Sequence, residues 1–106
     1  MSNKKVFKIA AAQEPLEFEI DGDTFTAIAP NRLPGNVLIE YVENIQLGRV
    51  YQGHKTFFTK ALLPESGERF EDRLNNPDNP ISLEVMIEVA EWLTSSYSNF
   101  TVGGSK

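Results

Sequence analysis

The hydrophobic pattern is clearest near the start of the chain. Leu16, Phe18 and Ile20 alternate with Glu17 and Glu19, the period-two signature of a strand with one buried face. Asp21-Gly22-Asp23 follows as a turn cluster in which Gly22 can take positive φ at no steric cost. Thr24 to Ala29 then supplies β-branched and aromatic residues, with Phe25 and Ala27 alternating against Thr24, Thr26 and Ile28. Residues 16–29 therefore predict a β-hairpin. A lone hairpin is marginal in water, so its Leu16/Phe18/Ile20 face requires another layer.

After Pro30, Pro34 and Gly35 the period lengthens to that of a helix. Val37, Leu38, Tyr41, Val42 and Ile45 form one stripe, predicting a helix over about 35–47 with Gly48 as its stop. Val50, His54, Phe57, Phe58, Ala61 and Leu62 form a second stripe over 50–63, closed by Pro64 and weakened inside by Gly53. A short third helix over 66–75 presents Phe70 and Leu74, and the run from Asn75 to Pro80 cannot continue it. The last helix, 82–97, has the strongest start. Ser82 is a good N-cap, Ile81 and Met86 can form a hydrophobic staple, and Glu84 suits the positive end of the helix dipole. The expected fold is α+β, mainly α: an N-terminal β-hairpin packed on a small bundle of three to four helices. One globular domain is expected over 15–100, between a loosely ordered basic segment at 1–14 and a flexible tail at 101–106.

Composition narrows the class. The 106 residues are 41% apolar and 24% charged, values typical of a globular chain, and contain no cysteine. That excludes disulfides, thiolate zinc sites and a cysteine nucleophile. Ten basic and fifteen acidic residues give a net charge of −5, which argues against nonspecific nucleic-acid binding. The charge is uneven. Lys4, Lys5 and Lys8 precede every acid, and without them seven basic residues face fifteen acidic ones, a net of −8. The apolar run around Val6, Phe7 and Ile9 is broken by Lys8 and too short for a signal peptide, and no stretch is long enough for a membrane helix. A soluble, intracellular setting without nucleic-acid or membrane partners is expected. A short strand at Val6–Ala10 is only weakly signalled.

Candidate chemistry is sparse. His54 is the single histidine, has no converging carboxylate set, and reads as a packed structural residue on an apolar stripe. Glu84, Glu88 and Glu91 recur at helical spacing and read as a solvated face rather than as acid/base or metal-binding carboxylates. Asp21-Gly22-Asp23 lacks the later ligands of a calcium loop. No phosphate-binding glycine loop or nucleophile elbow is present, and Ser66-Gly67 has no such context. The expectation is a non-enzymatic protein without catalytic, cofactor-binding or metal-binding residues.

The last helix is apolar on more than one side. Leu83, Met86, Ile87, Ala90 and Leu93 form one stripe, and Val85, Val89 and Trp92 a second. Either the helix lies across the domain and buries both, or the second stripe is exposed and docks a partner around its tryptophan. The latter makes Val85, Val89 and Trp92, with Glu88 beside them, the candidate partner-binding residues.

The order of these elements resembles a known family. A Phe18-x-Ile20-Asp21-Gly22-Asp23-Thr24-Phe25 hairpin leads through Pro34-Gly35 into Val37-Leu38-Ile39-Glu40. Phe70, Asp72, Leu74 and Asn76-Pro77-Asp78 follow. The close is Ile81-Ser82-Leu83-Glu84, Ile87, Val89-Ala90-Glu91-Trp92-Leu93 and Tyr97. Over about residues 16–100 this resembles the tail assembly chaperones of long-tailed phages infecting actinobacteria and their relatives.

The resemblance implies a nonstructural morphogenetic protein that binds the aggregation-prone tape measure protein and assists tail-tube polymerisation around it. The tail tube protein and a second copy of the chain are further partners to consider. The implied location is the host cytoplasm rather than the mature virion. Many such chaperones also have a frameshifted longer form, to which Gly103-Gly104-Ser105-Lys106 would suit a hinge. Two alternatives stand beside this reading: a structural head–tail or tail component, and a small acidic adaptor or inhibitor of a host protein.

Overall fold

The computed structural model describes residues 3–102. A two-stranded antiparallel hairpin, β1 (Leu16–Ile20) and β2 (Asp23–Ala27), precedes four helices: α1 (Gly35–Gln46), α2 (Val50–Ala61), α3 (Pro64–Leu74) and α4 (Leu83–Val102). The fold is α+β and mainly α, with an N-terminal hairpin packed on helices.

Asp21 and Gly22 make the two-residue hairpin loop, with φ of 49° and 88°. Both positive values match the type I′ turn that Asp-Gly favours, whose twist suits right-twisted strands. The register pairs Phe18 with Phe25 and Ile20 with Asp23. A two-residue loop makes Ile20/Asp23, Phe18/Phe25 and Leu16/Ala27 the hydrogen-bonded pairs, so the backbone groups of Glu17, Glu19, Thr24 and Thr26 point outward.

On β2 three of those four outward groups are occupied. Thr26 N–H donates to Ser66 Oγ at 2.8 Å, Thr26 C=O accepts from Leu63 N–H at 3.0 Å, and Thr24 C=O accepts from Arg69 at 2.7 Å. Ile28 N–H donates to Ala61 C=O at 2.8 Å, which seats the strand end against the α2–α3 junction. Pairing with β1 therefore stops at Ala27, two residues short of the expected hairpin end.

Pro64 differs from its expected role. Rather than closing α2, which has already ended at Ala61, it occupies the first turn of α3, where its missing N–H is an orphan donor anyway. The third helix consequently starts two residues before the expected Ser66. α4 starts as expected: Ser82 Oγ accepts from Val85 N–H at 3.2 Å, while Ile81 and Met86 are both buried in the core. It continues to Val102, past the expected end at Tyr97, so residues 101–102 are helical. Residues 103–106 of the expected tail lie outside the described residues. Asn3 to Pro15 carry no regular structure, and the weakly signalled strand at Val6–Ala10 does not form.

The core is a run of rings. Phe18 stacks on Phe25 at 5.4 Å between centroids, Phe25 meets Phe70 edge-on at 5.6 Å, and Phe70 lies 4.6 Å from Phe58. Phe57 continues it to Tyr97 at 6.5 Å and to Tyr41 at 4.8 Å. One aromatic chain thus ties the hairpin to α1, α2, α3 and α4, at about 0.5–1.5 kcal/mol per well-oriented pair beyond burial.

Gly53 does not interrupt α2. A Cβ there would stand 3.0 Å from Asn44 Cβ and 3.3 Å from Ile45 Cδ1, so the missing side chain lets α1 and α2 cross closely. Gly48, at φ 80°, ends α1 in the left-handed conformation while Arg49 N–H closes onto Asn44 C=O at 2.8 Å.

Candidate functional site

The expected partner stripe on α4 is divided by the packing. Val89 is only 9% exposed and belongs to the core, and Val85 is half-buried against it. Trp92 lies edge-on to Phe18 at 6.0 Å and is 43% exposed, while Glu88 is exposed. Val89 therefore faces inward and is not open to a partner. The physical reason is the hairpin: its apolar face lies on α4 through Phe18 and covers this side of the helix. From that set Trp92 and Glu88 keep most of the outward surface, and Val85 a smaller part.

A more enclosed apolar groove lies at the other end of α4. A groove of about 230 Å³ runs between α2, α3 and the start of α4. Phe58, Phe70, Leu74, Ile81 and Met86 form its apolar walls. Tyr51 and Leu83 stand at its edge, 75% and 66% exposed. Lys55 and Glu71, 4.0 Å apart and both exposed, face each other across it from α2 and α3. Such a surface pair contributes little to stability, so these charges are free to meet a ligand's own charges.

A second, shallow apolar surface lies on α1, formed by Leu38, Ile39, Val42, Glu43 and Gln46. Val42, part of the expected core stripe, faces out because α2 packs on the side of Val37 and the buried Asn44.

This groove was not assembled from the sequence, although a signal for its sides is present there. Tyr51, Lys55 and Phe58 recur at helical spacing, as do Leu83 and Met86. Where α4 starts relative to α2 is encoded by no local pattern.

The polar candidates serve the fold. His54 is buried; its Nδ1 donates to Val50 C=O at 2.9 Å, which leaves Nε2 to accept from the Tyr41 hydroxyl at 3.3 Å. Burial, then the negative charge of Glu91, raises the Tyr41 phenol above its ordinary 10.0. Asp23 accepts from Arg73 at 2.6 Å, and Asp21 lies 3.9 Å from the same guanidinium, which also donates to Asn79 C=O at 3.0 Å. The hairpin turn is thereby tied to the end of α3 and the loop before α4. Arg69, hydrogen-bonded to Glu65, holds that carboxyl below its usual range and lies 4.7 Å from the Phe25 ring.

Glu84, Glu88 and Glu91 are all exposed. Among the described residues no three His, Asp or Glu side chains converge as metal ligands, and no helix is long and apolar enough to cross a membrane. Ser66, set aside on sequence grounds, is a buried structural residue that accepts the Thr26 N–H. No family model, curated protein or solved structure matches the chain.

Proposed function

We propose that the protein is a non-enzymatic tail assembly chaperone of a long-tailed phage, and that it holds apolar helical segments of the tape measure protein in the groove between α2, α3 and α4. The observation that carries this reading is the open apolar groove edged by Tyr51 and Leu83, together with the family resemblance of residues 16–100.

A groove of this kind receives one or two large side chains of an amphipathic helix and shields them from self-association. The exposed acids of α3 and α4, Glu68, Asp72, Glu84 and Glu88, favour clients whose apolar residues are flanked by lysine or arginine. The same acidic surface repels other complexes and keeps the loaded chaperone dispersed.

The test is co-expression with the tape measure protein of the same phage. Tyr51→Asp and Leu83→Asp alter exposed side chains, so the fold should survive, as circular dichroism would verify. The expected result is loss of client solubility and of co-purification. Undiminished client binding by both folded variants, or recovery of the protein from purified virions, would overturn the proposal.

A further inference from the structure

The hairpin has one closed edge and one open edge. On β2 the outward C=O of Thr24 and both outward groups of Thr26 are taken up by Arg69, Ser66 and Leu63. On β1 the outward N–H and C=O groups of Glu17 and Glu19 have no hydrogen-bond partner among the described residues. An open edge of this kind accepts a further strand.

The chain also carries a segment suited to that place. Its base is held where the Asn31 side chain donates to Ala11 C=O at 2.5 Å and accepts from Gln13 N–H at 3.0 Å. Beyond that anchor the segment from Asn3 to Ala10 carries no regular structure and is exposed, Phe7 at 85% and Ile9 at 82%, and does not pair with its own β1.

In an extended conformation Phe7 and Ile9 share one face, with Lys5 at its outer end, and Lys4 and Lys8 flank Val6 on the other. β1 has the complementary arrangement. Phe18 is on its inner face beside the half-exposed Trp92, and Glu17 and Glu19 are on its outer face.

We infer that the N-terminal arm of one copy adds as a third strand to the β1 edge of a second copy. Phe7 and Ile9 then extend the apolar face beside Phe18 and Trp92, Lys8 lies opposite one of Glu17 and Glu19, and Lys4 lies diagonal to the other. Cross-strand pairs of opposite charge are stabilising and like pairs are destabilising, which selects this register over one slipped by a residue. The second copy is the chosen occupant because arm and edge carry opposite charge and neither pairs with a further strand among the described residues. This inference does not rest on the client reading, and its test uses the purified full-length chain alone.

The experiment measures mass against concentration by sedimentation or light scattering. The unmodified chain is expected to self-associate as concentration rises. Phe7→Asp with Ile9→Asp, Lys4→Glu with Lys8→Glu, and Glu17→Lys with Glu19→Lys should each give a monomer. All these side chains are exposed, so the fold should persist. Combining the two charge-reversal pairs in one chain should restore association. Three results would overturn the inference: a monomer at every concentration, association that survives Phe7→Asp with Ile9→Asp, or failure of the combined reversals to restore it. An arm that closed on its own edge would give the first result. An edge reserved for a client strand would give it too.

Discussion

Tyr97 shows how much one side chain can join. Its ring is buried at the end of the aromatic run, and its hydroxyl donates to Ile28 C=O at 2.9 Å, across 69 residues of sequence. Burial pushes the phenol up to about 12 from an ordinary 10.0, because the charged form loses hydration inside the core. The stabilising contribution is therefore fully present below pH 10 and is lost as pH rises towards 12. In that window the unfolded chain has released the proton and the folded chain still holds it. The loss should approach roughly 2–3 kcal/mol. Tyr97→Phe should cost about 1–2 kcal/mol at neutral pH, by leaving the Ile28 carbonyl without this donor. It should also flatten the decline above pH 10. Urea unfolding at neutral and alkaline pH measures both, and equal alkaline slopes in the two proteins would contradict the assignment.

Elements differ in how far local sequence determines them. The hairpin and the start of α4 were legible because their signals are local: alternating residues around Asp21-Gly22, and Ser82 between Ile81 and Met86. The role of Pro64 as the start of α3, the burial of Ser66 and the inward face of Val89 were not legible. Each depends on which residue of another element arrives beside it, and spacing along one helix does not contain that. Gly53 belongs to the same class, since the period of its helix reads it only as a weakness. Its neighbours make it a contact point between α1 and α2.

Two glycine substitutions separate these readings. Gly53→Val improves the local helix preference, yet places side-chain atoms against Asn44 Cβ, which sits too close to its own backbone to swing away. Overpacking of this kind costs about 1–3 kcal/mol, and a net loss is expected. Gly67 in α3 has Leu62 Cβ at 3.8 Å from the position of an added Cβ, an ordinary contact. Gly67→Ala should therefore follow helix preference alone and raise stability by up to about 1 kcal/mol. Thermal unfolding of the two variants should show shifts of opposite sign. A stabilised Gly53→Val would mean that the helices do not cross there.

At the scale of the molecule, charge and apolar surface separate into two places. The acidic body opens an apolar groove at the start of α4, while β1 lies with Trp92 further along the same helix and the basic arm stands apart from both. Trp92 is the chain's single tryptophan and does not line the groove, so its emission distinguishes the two surfaces. Arm addition brings Phe7 and Ile9 against the exposed part of the indole and removes water from it, which should shift the emission to the blue. The midpoint of that shift should coincide with the midpoint of self-association, and Phe7→Asp with Ile9→Asp should abolish both. A basic amphipathic peptide that fills the groove should leave the emission in place while being lost from Leu83→Asp. If the emission moved with the peptide and not with protein concentration, client and arm would have to exchange places: the client at the β1 edge, and the groove without one.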